Sequence, residues 1–279
     1  MKILITGANG MLAKAIIKKF NKEILICTDV ENLDITNKEK VEEFVENVNP
    51  NVIINCAAYT NVDKAEEEQE EAYKINAIGP KNLAIAAKKY NAILIHISTD
   101  YVFEGEKDVK FYYNEEDEKK PQTVYGKTKL LGEEFVKENC NNYYIFRTAW
   151  LFGEGKNFVR TMIQLSKSNN VVKVVNDQHG SPTYSEDLAD IIYQALEKKI
   201  PFGIYNATNL GYATWYEFTK KIYELKNINC KVLPITSEEF KRKAKRPLNT
   251  QLTKEKLLKC GIKISMYEDA LERYLKTEK

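Results

Sequence analysis

The feature that most constrains this chain is an alternation of short apolar runs with longer amphipathic stretches. Six runs have the length of a β-strand and are almost continuously apolar, at residues 2–6, 24–28, 52–56, 93–97, 143–147 and 173–175. Stretches at residues 11–20, 38–48 and 72–90 carry apolar residues at helical spacing. Continuous apolar strands are typical of a parallel sheet buried on both faces. The pattern therefore predicts an α/β fold with a Rossmann-type doubly wound parallel sheet.

A glycine turn joins the first predicted strand to the first predicted helix. The sequence TGANGMLA at residues 6–13 has the spacing G-x-x-G-x-x-A. Glycine lets a backbone approach phosphate closely, and a helix N-terminus binds anions. Such a turn is also an ordinary strand-to-helix connection, but its position after the first strand favours a dinucleotide site. The residues expected to bind the cofactor here are Gly7, Asn9, Gly10, Met11 and Leu12.

The ends of the second and third strands predict the rest of the cofactor site. Asp29 lies 22 positions after Gly7, where an acid that binds the adenine ribose is expected, although a turn aspartate would look the same. A carboxylate there would repel the 2′-phosphate of NADPH, and residues 30–32 offer no basic side chain. We therefore expect NADH or NADPH to be used, with NADH favoured. The further expected contacts are Asp34, Ile35, Ala57, Ala58, Tyr59 and Thr60.

Two later segments contain residues suited to proton transfer. The fourth strand leads into STDYVF at residues 98–103, and YGKTK follows at residues 125–129. Tyr125 and Lys129 are four positions apart, which places them on one face of a helix. A nearby ammonium is expected to lower the tyrosine pKa from its ordinary value of about 10. A Y-x-x-x-K pair taken alone is more often a half-buried tyrosine beside a surface lysine.

The motifs together resemble a known enzyme family. The glycine turn, STDYVF and YGKTK occur in the order and spacing of the extended short-chain dehydrogenase/reductases. The blocks AAYTNVDKAE (57–66), RTAWLFG (147–153), NDQHGSPT (176–183) and RP (246–247) resemble the dTDP-4-dehydrorhamnose reductase family across nearly the whole chain. The resemblance implies NAD(P)H-dependent reduction of the C4 keto group of dTDP-4-dehydro-L-rhamnose, giving dTDP-L-rhamnose.

The resemblance also implies roles for individual residues. Tyr125 would protonate the C4 oxygen, and Thr99 would donate a hydrogen bond to the same oxygen. Lys129 would bind the nicotinamide ribose and tune Tyr125. Asp100 and Trp150 would help to hold the sugar.

The balance of charge limits the partners that the chain can bind. There are 42 basic and 40 acidic residues, a net charge of +2, so we expect no nucleic-acid partner. The basic run at residues 241–246 is either a solvated face or, through Arg246, a binding site for the nucleotide diphosphate. No apolar run approaches the roughly 18 residues needed to span a bilayer. Widely spaced cysteines and the lack of a secretion signal predict a cytoplasmic protein.

Metal binding and dimerisation are the points where the chain departs from the family. Some members bind magnesium at a dimer interface through acidic residues, one of them on the first helix. This chain has Lys14 and Ala15 there, and only two histidines in all. We therefore predict no metal, and a homodimer is left open.

The sequence after about residue 147 is less regular, because glycine and proline divide it into shorter elements. We expect an NAD(P)-binding Rossmann domain at residues 1–155. Residues 156–279 are expected to form mainly a smaller, irregular C-terminal substrate lobe, with some segments returning to the first domain. Two other functions remain open: a non-catalytic regulatory subunit resembling the methionine adenosyltransferase partner, and a reductase or epimerase of another nucleotide sugar.

Overall fold

A computed structural model describes residues 1–278. The strands in chain order are β1 (Lys2–Thr6), β2 (Ile24–Thr28), β3 (Val52–Asn55), β4 (Ile93–Thr99), β5 (Tyr143–Thr148), β6 (Leu151–Phe152), β7 (Val171–Val175), β8 (His179–Gly180), β9 (Thr183–Tyr184), β10 (Gly203–Asn206), β11 (Ala213–Thr214) and β12 (Lys231–Ile235). The α-helices are α1 (Met11–Lys19), α2 (Lys38–Val48), α3 (Val62–Ala65), α4 (Gln69–Tyr73), α5 (Gly79–Lys89), α6 (Val124–Asn139), α7 (Phe158–Ser168), α8 (Ser185–Glu197), α9 (Trp215–Leu225), α10 (Glu255–Lys259) and α11 (Tyr267–Thr277).

The central sheet has six parallel strands in the order β2-β1-β3-β4-β5-β10. The chain first builds outward from β1 to β2 and then continues on the other side of β1 with β3. Ligands of doubly wound sheets bind at such a reversal, outside the carboxyl ends of the strands. The predicted Rossmann-type α/β fold is therefore confirmed.

The apolar strands are continuous because both faces of the sheet are covered. Ile3 and Ile5 of β1 pack into a core with α1 and α8, whereas Leu4 between them packs into a second core with α2 and α5. All three side chains are fully buried. Alternate residues of one strand thus pack into two separate cores. Neither face of the strand is left for polar side chains, so the apolar run is continuous.

Two predictions about the elements were wrong. The run at residues 173–175 is not part of the central sheet, because β7 pairs only with β12 in a separate two-stranded sheet. The single helix expected over residues 72–90 is divided among α4, a π-helical turn at Lys74–Ile78 and α5. A π-turn inserts one extra residue per turn and is frequent at functional sites.

The second half of the chain contributes to two parts of the molecule. Helix α8 packs on α1, and β10 completes the sheet beside β5. The remaining elements enclose a third core formed mainly by α7, α9 and α11, which includes Phe152, Phe218 and Tyr274. Within residues 1–278 no helix is long and apolar enough to cross a bilayer.

Candidate active site

The glycine turn lies where the strand order reverses. Gly7 has a φ of +66°, and a Cβ atom there would lie 2.7 Å from the backbone N and Cα of Ala57. Only glycine accommodates both the left-handed conformation and this close approach. Helix α1 follows with Gly10 as its N-cap, and no side chain caps its first turn. Its first N–H groups are therefore available to an anion.

A cavity of about 310 Å³ opens beside this turn. It brings together many of the predicted cofactor residues, namely Gly7, Gly10, Asp29, Asp34, Ile35, Ala57 and Ala58. Seven others do not line it, and two of these, Tyr125 and Lys129, lie on α6. The Leu12 side chain is buried in the core, Met11 lines a different cavity, and Asn9, Tyr59 and Thr60 lie outside the lining. Sequence reasoning missed Val30 and Ile75 as lining residues.

Both acidic residues of the cavity are held by hydrogen bonds. The Asp29 carboxylate accepts from the backbone N–H groups of Asn9 and Val30, each at 2.9 Å. Asp34 accepts from the backbone N–H and the hydroxyl of Thr36, at 2.9 and 2.8 Å. Asp29 therefore also fixes the glycine turn. In this geometry Asp29 can hold the turn and bind a ribose at the same time.

The loop after β3 is clamped by a residue that sequence reasoning missed. Asn76, fully buried in the π-helical turn, accepts from the Tyr59 backbone N–H at 2.8 Å and donates to the Tyr59 carbonyl at 3.1 Å. It also donates to the Thr128 hydroxyl at 3.2 Å, which links the loop to α6. An asparagine inside an otherwise apolar helical pattern is the signal that could have revealed it.

Tyr125 and Lys129 lie one turn apart near the start of α6, as the spacing predicts. The helix packs closely on the turn after β4, because a Cβ atom at Gly126 would lie 2.3 Å from the Tyr101 carbonyl oxygen. The Tyr125 ring contacts the Tyr101 ring edge-on, with centroids 5.6 Å apart. The Lys129 ammonium donates to the Ile97 carbonyl at 2.6 Å. Lys129 is therefore anchored to β4, directly beside the strand end that carries Thr99.

The expected effect of Lys129 on Tyr125 was wrong. Burial raises the Tyr125 pKa to about 12, and a hydrogen bond with Thr99 opposes this only in part. Burial also lowers the pKa of Lys129 to about 8. Removal from water disfavours the Tyr125 phenolate and the Lys129 ammonium more than the neighbouring groups stabilise them. Tyr125 is therefore fully protonated at neutral pH.

Thr99 and Asp100 form a connected pair at the end of β4. The Thr99 hydroxyl donates to the Asp100 carboxylate at 2.9 Å and accepts from the Tyr101 N–H at 3.2 Å. Asp100 is 2% exposed, and burial raises its pKa to about 6. One carboxylate oxygen of Asp100 therefore orients the Thr99 hydroxyl, and the other, Oδ2, is buried without a hydrogen-bond partner among residues 1–278.

Trp150 lies against a second aromatic residue that sequence reasoning missed. It has a φ of +45°, uncommon for a bulky side chain, and stacks on Trp215 with the ring centroids 3.5 Å apart. A Cβ atom at Gly180 would lie 2.4 Å from the Trp150 indole. Trp215 in turn lines a mostly apolar cavity of about 400 Å³, to which Phe158, Lys173 and the loop after β12 also contribute.

Arg246 lines that cavity and contacts the first half of the chain. One guanidinium nitrogen donates to the Asp63 carboxylate at 2.8 Å, and the other terminal nitrogen is buried without a hydrogen-bond partner among residues 1–278. Asp63 also accepts from the Ala244 backbone N–H at 3.1 Å. The same range holds no cluster of three or more His, Cys, Asp and Glu side chains suited to a metal ion.

Comparison with known proteins decides the family. The model of the RmlD substrate binding domain matches residues 1–279. The chain belongs to this family. The resemblance to dTDP-4-dehydrorhamnose reductases predicted from the motifs is thereby confirmed.

RmlD-family proteins of similar sequence cover the chain from end to end. A dTDP-4-dehydrorhamnose reductase of Aggregatibacter actinomycetemcomitans is 40% identical over 97% of each chain. The crystal structure of a dTDP-4-dehydrorhamnose reductase from Clostridium acetobutylicum is 48% identical, with a TM-score of 0.96 over 99% of each chain. The enzyme from Bacillus anthracis, solved in complex with NADP, is 41% identical, with a TM-score of 0.95 over 99% of each chain.

Proposed function

We propose that this protein is a dTDP-4-dehydrorhamnose reductase. It uses NAD(P)H to reduce the C4 keto group of dTDP-4-dehydro-L-rhamnose and yields dTDP-L-rhamnose. The observation that carries the proposal is the placement of Tyr125 and Lys129 on one face of α6, beside Thr99. Cys56 connects this group to the cavity at the strand reversal, because it lines the cavity and directly follows β3, the strand paired with β4.

The cavity at the strand reversal fits a dinucleotide. Gly7 allows backbone approach, and the uncapped N-terminus of α1 offers N–H donors to a pyrophosphate. Asp29 and Ala57 lie on opposite sides of the turn, where a ribose and the remainder of the cofactor would be held. When bound, the reduced nicotinamide supplies the hydride.

The residues of the chain supply the proton and orient the sugar. Tyr125 holds its proton at neutral pH and releases it when negative charge develops on the C4 oxygen. Thr99, with its hydroxyl rotated away from Asp100, donates a hydrogen bond to the same oxygen. Lys129 keeps two ammonium hydrogens for the nicotinamide ribose, because only one is donated to Ile97.

The nucleotide of the substrate fits the cavity of about 400 Å³ beside Trp215. Its apolar lining suits a planar base, and Lys173 and Arg242 lie at its edge. The unpartnered terminal nitrogen of Arg246 is a buried donor suited to a diphosphate oxygen. We infer from this donor that Arg246 binds substrate and is not simply part of a solvated basic face.

We also infer that the reaction takes place in the cytoplasm. The five cysteines are all free thiols in the structure, as expected in a reducing compartment. A small-molecule nucleotide sugar is the partner that the cavities accommodate, and the assembly state is open.

One experiment tests this function against the two alternatives. Purified protein is incubated with NADH or NADPH and dTDP-4-dehydro-L-rhamnose, cofactor oxidation is followed by absorbance, and the product is identified by NMR. We expect stoichiometric oxidation and dTDP-L-rhamnose. A regulatory subunit would oxidise no cofactor, and an epimerase would change the sugar without net oxidation. Either of those results would overturn the proposal.

A further inference from the structure

A buried ion pair joins α6, the helix that carries Tyr125 and Lys129, to β5. The carboxylate of Glu133 on α6 accepts two hydrogen bonds from the Arg147 guanidinium, from Nε at 2.9 Å and from Nη2 at 2.6 Å. The two side chains are 1% and 0% exposed. The third guanidinium nitrogen donates to the Glu115 carbonyl at 3.0 Å. Because an arginine is always charged and this one is fully enclosed, the Glu133 carboxylate is its counter-charge in the core.

Glu133 also contacts the strand that carries Thr99. The Ser98 hydroxyl donates to its carboxylate at 2.5 Å. One turn earlier on the same helix, the Lys129 ammonium donates to the carbonyl of Ile97, the residue before Ser98. The two consecutive residues of β4 thus bond to Glu133 and Lys129, which fixes the position of α6 along the strand.

Glu133 joins α6, which carries Tyr125 and Lys129, to β4, which carries Thr99, and to the neighbouring strand β5. Ser98 is paired in register with Arg147, and Thr99 with Thr148 at the ends of β4 and β5. Trp150 follows two residues after Thr148. The pair is therefore built at the point where the elements bearing Thr99, Lys129 and Trp150 meet, and not at an arbitrary place in the core.

We propose that Glu133 is a positioning residue that holds Lys129 against β4 in its charged form. The inference rests on the reductase function proposed above. Glu133 touches neither substrate nor cofactor and acts only through Lys129. The Glu133 carboxylate has two roles. It neutralises Arg147, and it supplies negative potential to the Lys129 ammonium one turn away.

The electrostatic surroundings of Lys129 support this role. Burial lowers the pKa of the ammonium to about 8, and the charge of Glu133 is the largest influence that opposes the fall. The Cys56 thiol contributes in the same direction to a smaller degree, but its own pKa is raised to about 12, so it is neutral near pH 8. His96 on the other side is buried, its pKa is lowered well below the ordinary value, and it carries no charge there. Tyr125 is protonated at the same pH.

The test is the pH dependence of kcat/KM in the variant Glu133→Gln. Lys129 is charged below its pKa, so activity that needs the charge falls as pH rises through about 8 in the wild type. Removal of a nearby opposite charge lowers a lysine pKa by about 1 unit or more. We expect the alkaline limb, the part of the kcat/KM profile that falls as pH rises, to move to lower pH by that amount. Glu134→Gln removes the same charge from the exposed face of α6 and should leave the limb in place.

Two further variants separate positioning from folding. Ser98→Ala removes one hydrogen bond to Glu133 but no charge, so it should lower thermal stability and leave the alkaline limb unmoved. If Glu133→Gln does not fold because Arg147 is left uncompensated, the double variant Glu133→Gln/Arg147→Met removes both charges and should fold. It still lacks the negative charge near Lys129, so its alkaline limb should also move to lower pH.

The outcome distinguishes this inference from the proposed function. A folded Glu133→Gln or double variant whose alkaline limb coincides with that of the wild type would show that Glu133 has only a structural role. A wild-type protein without reductase activity would instead overturn the proposed function.

Discussion

At the scale of single residues, burial decides how the proposed site works. The Tyr125 hydroxyl is not acidified by Lys129, because the ammonium is bound to the Ile97 carbonyl and both groups are removed from water. A tyrosine with a pKa of about 12 holds its proton throughout the neutral range. It transfers that proton only when an oxyanion develops beside it, which is the behaviour required of a general acid.

The variant Tyr125→Phe removes this proton and little else. General acid catalysis contributes about 10²- to 10⁴-fold, so we expect kcat to fall by that factor. The Kd for the cofactor, measured by fluorescence titration, should change little. Tyr143→Phe is the control, since Tyr143 begins β5, at the end of the strand opposite to that paired with Thr99. A Tyr125→Phe enzyme with more than half the wild-type kcat would exclude Tyr125 as the proton donor.

The choice between NADH and NADPH is predicted from Asp29. Its carboxylate lies in the proposed cofactor cavity, and residues 30–32 bring no basic side chain to offset repulsion of a 2′-phosphate. We expect kcat/KM to favour NADH, and about 1.4 kcal/mol of repulsion would give a tenfold ratio. The relative from Bacillus anthracis was solved in complex with NADP, whose 2′-phosphate the Asp29 carboxylate of this chain is expected to disfavour.

The informative variant is Asp29→Asn, because Asp29 also accepts from the backbone of Asn9 and Val30. Asparagine keeps an acceptor for the turn but removes the charge, so the ratio should shift toward NADPH. If NADPH is preferred by the wild type and Asp29→Asn does not change the ratio of kcat/KM, then another residue selects the cofactor.

Residues whose role depends on local spacing could be predicted from the sequence. The positions of Gly7, Tyr125 and Lys129 follow from a turn and one helical repeat. The pKa of Tyr125 could not be predicted, since it depends on how deeply the side chain is buried. Trp215 was also missed, because its stacking on Trp150 joins residues 65 positions apart without any local pattern.

At the scale of elements, the π-helical turn between α4 and α5 places Asn76 against the loop after β3. In this turn one extra residue rotates the helix, which brings a buried amide to the Tyr59 backbone. Apolar periodicity predicts a continuous helix over residues 72–90 because the residues on both sides of the turn still face the core. The apolar periodicity therefore does not reveal the extra residue in the π-helical turn.

The variant Asn76→Ala should loosen this loop. It leaves the Tyr59 N–H without a partner, and such a loss costs about 1–3 kcal/mol of folding free energy. We expect a lower urea midpoint and a raised KM for the cofactor, with kcat less affected. Thr128→Ala removes only the third hydrogen bond of Asn76 and should have the smaller effect on both. An unchanged KM in Asn76→Ala would show that the loop does not shape the cofactor site.

At the scale of the whole molecule, the strands of the central sheet are predicted from the sequence more completely than the contacts between the N-terminal and C-terminal halves of the chain. Five of the six central strands are predicted from apolar runs, whereas β10 is not, and it completes the sheet from beyond residue 200. The run at residues 173–175 is equally apolar yet pairs with β12. Strand pairing over such separations depends on tertiary packing, which no local window contains. The contact of Asp63 with Arg246, which connects the two halves, is of the same kind.

We predict metal independence for the whole molecule from the charges near α1. Ala15 places no carboxylate on this helix face, and a cavity of about 270 Å³ beside it is lined by both cations and carboxylates. Each carboxylate there already has a basic partner, in the pairs Lys14–Glu154, Lys18–Glu186 and Arg160–Glu278. These exposed pairs are weak individually, but they neutralise the charge that would otherwise attract a divalent cation. We therefore expect EDTA to leave both kcat and the molar mass measured by light scattering unchanged, with MgCl2 added back as the control. Activity or assembly that falls with EDTA and returns with magnesium would show that the cation is required.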